Sequence, residues 1–243
     1  MPGSMTARHL PSPNVNDRRT AVSLLVLHYT GMQDAEVALQ RLVDPSSGVS
    51  AHWLVDEDGR ITSLVPEARR AWHAGVACWQ GIRDVNSASI GIEIVNPGHA
   101  GGLPPFPGQQ MDALAALCRD VLARHGIRRR HVLGHSDVAP RRKQDPGELF
   151  DWRWLARQGV GLWPPPQSPA ATCLGEGDRG CAVVRLQERL ASFGYAVAPD
   201  GFFGAATAAV VTAFQRHFRP ARVDGVADGE TAARLAALVD ALR

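Results

Sequence analysis

Ser89-Ile90-Gly91-Ile92-Glu93-Ile94-Val95 alternates with period two and halts at Asn96-Pro97. Successive side chains of a strand point to opposite faces, so this period predicts β structure. Ile90, Ile92 and Ile94 share one face, and Glu93 lies on the opposite one with Gly91 beside it. From the residues alone, that glutamate could face a cleft or a solvated surface. Upstream, Ser23-Leu24-Leu25-Val26-Leu27-His28-Tyr29 reads as a buried strand, being short, apolar and partly β-branched. Ala35 to Leu42 has apolar residues at helical spacing and stops before Pro45. Ala51 to Val55 and Arg60 to Val65 flank Asp58-Gly59, a hairpin turn signal. Downstream, Gln109 to His125 predicts a long amphipathic helix ended by Gly126, and His131 to Gly134 a short strand. The sum is a mixed α/β domain with a central β-sheet flanked by helices.

A seam follows at Gly161-Leu162-Trp163-Pro164-Pro165-Pro166-Gln167-Ser168-Pro169. Prolines at this density favour a stiff extended spacer over helix or central strand. The expected division is a first domain over 12–162, a proline-rich linker over 163–174 and a second domain over 175–243. In that second domain Val183, Val184, Leu186, Leu190 and Phe193 form one helical stripe, Val210, Phe214 and Phe218 another, and Leu235, Leu238 and Leu242 a third. Asp200-Gly201 and Asp224-Gly225 echo each other, each with a threonine seven residues after the aspartate. Each Asp-Gly turn is expected to lead into a helix start, where side-chain oxygens can cap free backbone donors. This predicts a small all-α three-helix bundle with two similar turns.

Composition excludes several classes. With 243 residues and 45% hydrophobic content, the chain buries a real core and is not disordered. No apolar run approaches the roughly 18 residues of a membrane span. The first twenty residues lack the apolar region of a secretory signal, and Met1-Pro2-Gly3-Ser4 has the look of a cloning scar ahead of Met5. The 26 basic residues nearly balance 24 acidic ones, so no nucleic-acid partner is implied, and Arg128-Arg129-Arg130 reads as a solvated loop. Cys78, Cys118, Cys173 and Cys181 show no zinc-ribbon spacing; Cys173 and Cys181 could bridge a short loop in an oxidising compartment, and free thiols are the expectation. Nothing in the sequence sets the oligomeric state.

Histidines and one lysine carry the chemical signal. Of nine histidines, His28, His52, His73 and His135 fall on strand ends or loops, where rigid backbone fixes an imidazole well for a metal. Each alone reads equally as a buried histidine bonded to backbone, and their spacing does not say which bind metal. The stretch from His135 to Gly147 is a polar, proline-punctuated loop leaving a strand, a common seat of catalytic groups. It holds Asp137, Asp145 and Lys143, the sole lysine among 26 basic residues. Retaining lysine against that bias hints at a need for a compact ammonium.

Leu27-His28-Tyr29-Thr30, Ser50-Ala51-His52-Trp53, Ala71-Trp72-His73-Ala74-Gly75, Ser89 to Glu93, Gly134-His135-Ser136-Asp137 and Lys143-Gln144-Asp145-Pro146-Gly147 occur in one order. Together they resemble the zinc-dependent N-acetylmuramoyl-L-alanine amidases of the AmpD/AmiD-like type, over about Ser12 to Trp163. The tail resembles the three-helix peptidoglycan-binding module through Val184-Arg185-Leu186-Gln187, the Asp200 to Thr207 turn and Phe214-Gln215. The resemblance implies one zinc ion on His28, His135 and Asp145, with Glu93 as general base and Lys143 stabilising the oxyanion. It implies substrate contact for His73, which lines the family's cleft. Tyr29, Trp72, Trp79, Arg83 and Asn86 are candidate contacts to sugar or stem peptide, with core packing an equal reading for both tryptophans. His52 is expected to be structural, and His99, His125, His131 and His217 to lie outside catalysis. The implied substrate is peptidoglycan or a muropeptide. Rival readings are a non-catalytic peptidoglycan receptor, though such relatives usually lack part of the metal set, and a zinc peptidase acting on stem-peptide bonds. The missing leader points to the cytoplasm and 1,6-anhydro muropeptides, and the tail to the periplasm or cell envelope; the cytoplasm is the expectation.

Overall fold

A computed structural model describes residues 7–165, 168, 169, 171 and 173–242. The scar reading at Met1 to Met5, and Pro166, Gln167, Ala170 and Thr172 of the expected linker, lie outside the described residues. The chain divides into two compact units. The first runs to Gly75 and continues over Asp84–His135 and Asp145–Leu162; the second takes in Val76–Arg83, Ser136–Gln144 and the chain from Trp163 onward.

The first unit begins with β1 (Arg8–His9), β2 (Val15–Asp17), β3 (Leu24–Tyr29) and α1 (Ala35–Val43). Next come β4 (Trp53–Val55), β5 (Ile61–Ser63), β6 (Arg69–Ala71), α2 (Val85–Ala88) and β7 (Ser89–Ile94). α3 (Gly108–His125), β8 (Val132–Gly134), α4 (His135–Val138, entering the second unit) and α5 (Trp152–Arg157) complete it. Six strands form one mixed sheet in the order β1-β5-β4-β7-β3-β8, and β2 and β6 form a separate pair. β7 is parallel to β3 on one side and to β4 on the other. β4 and β5 make the antiparallel hairpin signalled by Asp58-Gly59. Leu24, Leu25, Val26 and Leu27 are all fully buried, so β3 is covered on both faces and shows no alternation. Helix α1 starts at Asp34, whose side chain accepts from the Val37 amide, and buries Ala38, Leu39 and Leu42.

β1, β2 and β6 were not expected, because strands of two or three residues are too short to show a period. α4 replaces the first part of the expected irregular loop with one helical turn.

The second unit contains α6 (Cys181–Phe193), α7 (Ala205–Phe218) and α8 (Gly229–Asp240), with the expected stripes buried at Val183, Leu186, Leu190, Phe193, Val210, Phe214, Phe218, Leu235 and Leu238. Each Asp-Gly turn leads into a helix start, as expected. Neither aspartate caps a helix: α7 starts at Gly204 without a side-chain cap, and α8 is capped by Asp228. Instead a buried glutamine from the preceding helix ties each turn. Gln187 shares its amide protons among Asp200 Oδ1 (2.8 Å), the Phe202 carbonyl and Thr207 Oγ1 (both 3.0 Å), and accepts from the Gly201 amide at 2.9 Å. Gln215 does the same for Asp224 and Val226, accepting from the Asp224 and Gly225 amides.

No helix among the described residues is long and apolar enough to cross a membrane. The four cysteines are free thiols. Gln187→Leu, which keeps volume but strips the turn of its bonds, should cost the helical unit about 2–3 kcal/mol. A lower thermal midpoint by circular dichroism is the expected outcome.

Candidate metal centre

The polar face of the sheet gathers one row of side chains. His28 of β3 and Leu54 of β4 both stand in register with Glu93 of β7. Residues paired this way project from the same face, on strands about 4.8 Å apart. His135 follows β8, whose Gly134 pairs with Leu27. Asp145 returns to the same place: His28, His135 and Asp145 are buried, and each offers a ligand atom within 4.8 Å of the others. Nδ1 of His28 lies 2.9 Å from Nδ1 of His135, and Oδ2 of Asp145 lies 3.1 and 2.9 Å from them.

The outer nitrogens decide what faces inward. His135 Nε2 has the Ala74 carbonyl at 3.0 Å, which demands a proton on Nε2 and leaves the Nδ1 lone pair pointing at the triangle. His28 Nε2 lies 3.0 Å from His73 Nδ1, and His73 Nε2 lies 3.2 Å from the Ser89 hydroxyl, which itself donates to the Val85 carbonyl. One proton order satisfies the whole series: His28 donates to His73, and His73 to Ser89. Burial first, then the neighbouring His28, lowers the His73 pKa well below its ordinary value and keeps the ring neutral, as this relay requires. Three lone-pair donors thus converge, one of them an anion. Around a tetrahedral ion with bonds of about 2.0–2.1 Å, donors stand about 3.4 Å apart, close to the observed triangle. The donor set fits a small divalent cation.

The chain around the triangle is shaped to hold it. A Cβ at Gly91 would lie 2.4 Å from the His73 ring, so only glycine lets that ring pack against β7. His52 is fully buried; its Nδ1 accepts from the Gly91 amide at 2.9 Å, and its Nε2 lies 2.7 Å from Arg18 Nη2 and 3.1 Å from the Arg69 carbonyl.

Residues 18–148, more than half of the chain, match the N-acetylmuramoyl-L-alanine amidase family. The N-acetylmuramoyl-L-alanine amidase AmiD of Escherichia coli is 40% identical over 232 residues, covering 90% of this chain and 83% of the relative. The chain belongs to the N-acetylmuramoyl-L-alanine amidase family. It is an amidohydrolase of that class. The structure of Escherichia coli AmiD with the substrate anhydro-N-acetylmuramic acid-L-Ala-D-gamma-Glu-L-Lys is similar at a TM-score of 0.78 and 37% identity, covering 93% of this chain and 92% of that one. AmpDH3 of Pseudomonas aeruginosa in complex with anhydromuramic pentapeptide gives a TM-score of 0.74 at 32% identity, over 93% and 97% of the two chains. Residues 179–235 match a peptidoglycan binding domain family.

The expected amidase residues divide. His28, His135 and Asp145 come together, with Glu93 on the His28 row. Tyr29 is half-buried, its hydroxyl 3.0 Å from His99 Nδ1, and His99 Nε2 lies 3.1 Å from Glu148 Oε2. Trp72 is half-buried with its indole N–H on Asn16 Oδ1. Two expected substrate contacts are corrected, and Trp79 takes its core-packing reading. His73 is buried with both ring nitrogens taken, so it sits behind His28 rather than in a cleft. Asn86 is buried, and its Oδ1 accepts from the His73 and Ala74 amides, which makes it a bracket for that loop. Trp79 belongs to the interior of the second unit, packed against Phe193 and Tyr195. Exposed Arg83 and half-buried Lys143 also belong to that unit. Sequence reasoning missed Ser89 and the Ala74 carbonyl, whose roles depend on partners far apart in the chain.

His52 gives a pH prediction. Burial, then the charge of Arg18, lowers its pKa from the ordinary 6.5 to about 3. Between those values the unfolded chain binds a proton that the folded chain does not, so stability rises with pH there. The contribution is complete above about pH 6.5 and is lost as pH falls towards 3, by up to about 1.4 kcal/mol per pH unit. Urea titrations of metal-free protein at pH 5 and 7.5 should show that slope, and a non-titrating His52→Gln variant a shallower one.

Proposed function

We propose that the protein hydrolyses the amide between the lactyl carbonyl of N-acetylmuramic acid, including its 1,6-anhydro form, and the first L-alanine of the stem peptide. The observation that carries this is the triangle of His28, His135 and Asp145, whose lone pairs meet beside the row that holds Glu93. The ligands in the AmiD and AmpDH3 complexes support the choice of substrate. His28, His135 and Asp145 would hold one zinc ion, since two imidazoles and one carboxylate suit zinc and leave a coordination position open. Bound there, zinc would draw charge from the scissile carbonyl and lower the pKa of water. Glu93 accepts the proton of the attacking water as its oxygen bonds to the lactyl carbon. The same carboxyl then delivers a proton to the amide nitrogen as the C–N bond breaks, releasing a lactyl acid and a free L-alanyl amine. Lys143, two residues ahead of Asp145 in sequence, brings an ammonium to the charge gathering on the carbonyl oxygen. Tyr29, Trp72 and Arg83 are the proposed contacts to sugar and peptide.

The proposed organisation keeps 12–162 as the amidase part, 163–174 as linker and 175–243 as the peptidoglycan-binding part, supported by the family match of the tail. The compartment follows from the preferred substrate: soluble 1,6-anhydro muropeptides for the cytoplasm, intact sacculi for the envelope. Comparing rates on the two, with mass analysis of the released peptides, tests both that choice and which bond is cut.

Asp145→Ala should lose bound zinc, measured by elemental analysis. Glu93→Ala should keep one zinc per chain while turnover falls about 10²–10⁴-fold; near-normal turnover would remove Glu93 from the proton transfer. Lys143→Arg keeps the charge but broadens it, and should lower kcat about tenfold or more at unchanged zinc content.

A further inference from the structure

Two stretches of the second unit, Val76–Arg83 and Ser136–Gln144, come from inside the region that matches the amidase family. Ser136–Gln144 is the span between two proposed ligands, His135 and Asp145, and it carries Lys143. Asp137 within it is 1% exposed. One of its carboxylate oxygens accepts from the Tyr195 hydroxyl at 2.6 Å, and the other from His217 Nδ1 at 2.7 Å. Both donors are buried, Tyr195 just after α6 and His217 in the last turn of α7. Burial, then the Asp137 charge, pushes the Tyr195 phenol well above its ordinary pKa, so it stays a donor. A buried carboxylate with a donor on each oxygen is fixed in place, because movement would leave its charge uncompensated.

Further bonds join the same pieces. The Val138 carbonyl accepts from the Cys78 amide at 2.8 Å, Arg142 Nη2 donates to the Val76 carbonyl at 2.9 Å, and the Gln80 amide donates to the Gly194 carbonyl at 2.8 Å. The Trp79 ring fills the space beside Gly194, where a Cβ would lie 2.4 Å away and φ is +148°. Both inserted stretches are built into the helical unit.

We infer that the C-terminal helical unit is a positioning element of the hydrolytic site. Tyr195 and His217 are positioning residues: they hold Asp137, and through it the span that spaces His135 from Asp145 and presents Lys143. The inference rests on the proposed metal-binding and oxyanion roles of those three residues. The tail is then a structural part of the amidase as well as a wall-binding one.

The test uses full-length Tyr195→Phe and His217→Gln loaded with zinc, at a temperature where circular dichroism shows every protein folded. Zinc release to a chromophoric chelator should accelerate about tenfold, and kcat on an anhydromuramyl tripeptide should fall about tenfold with KM within about twofold. Gln187→Leu strips the Asp200 turn and touches none of the bonds to Asp137; it should release zinc at the wild-type rate. Wild-type zinc release and kcat in both Asp137-partner variants would overturn the inference. So would an equal acceleration in Gln187→Leu, which would reduce the effect to general loosening of the unit. Failure of the wild-type chain to take up zinc would instead sink the site assignment, and the inference with it, before any variant is compared.

Discussion

Two imidazole nitrogens and one carboxylate oxygen present lone pairs to one another at 2.9–3.1 Å, in a place where all three residues are buried. Little water is available there to dilute the repulsion, so the arrangement is comfortable only with positive charge at its centre. Much of the first unit answers to that constraint. The face of β7 opposite Ile90, Ile92 and Ile94 supplies Ser89 to end the proton relay, Gly91 to admit the His73 ring, and Glu93 beside His28. One strand therefore serves the core with one face and the site with the other. His52, below the same strand, adds a neutral ring whose Nδ1 accepts from the Gly91 amide.

The second unit solves a different problem. A bundle of three short helices has limited apolar surface, and its turns must be held by polar groups. Gln187 and Gln215 do this by the same device, each reaching from a helix into the following Asp-Gly turn with its donors and its acceptor in use. The echo in the sequence is thus an echo of hydrogen-bond geometry, and the aspartates belong to turns rather than caps.

The main strands, the Asp58-Gly59 hairpin, the long helix and the three-helix tail were legible because periodicity and turn chemistry are local. The metal set was not. Single histidines at strand ends were equally good core residues, and only the ordered family motifs singled out His28, His135 and Asp145. His73 and Asn86 were misplaced, and Trp79 was left open between core and substrate, for a related reason: composition suits all three to substrate contact, while their function is decided by partners distant in sequence. For His73 these are His28 and Ser89, for Asn86 the His73 and Ala74 amides, and for Trp79 the residues Phe193 and Tyr195. A contiguous domain boundary at the proline-rich seam likewise gives no hint that Val76–Arg83 and Ser136–Gln144 pack with the tail.

That interleaving bears on how tightly a metal can be held. His135 and Asp145 are separated by nine residues, and ordering such a span costs about 1–2 kcal/mol per residue in backbone entropy alone. If the span were loose, most of that cost would fall on metal binding, and affinity would suffer accordingly. With Asp137 clamped by Tyr195 and His217, the span is ordered when the helical unit folds, and the ion meets donors already in place. Anchoring by a carboxylate suits this task better than apolar packing, because two directed bonds fix both position and orientation close to the first ligand. The polar link between Asp137 and the tail is therefore best understood as preorganisation of the proposed site, separate from the peptidoglycan binding proposed for the same helices.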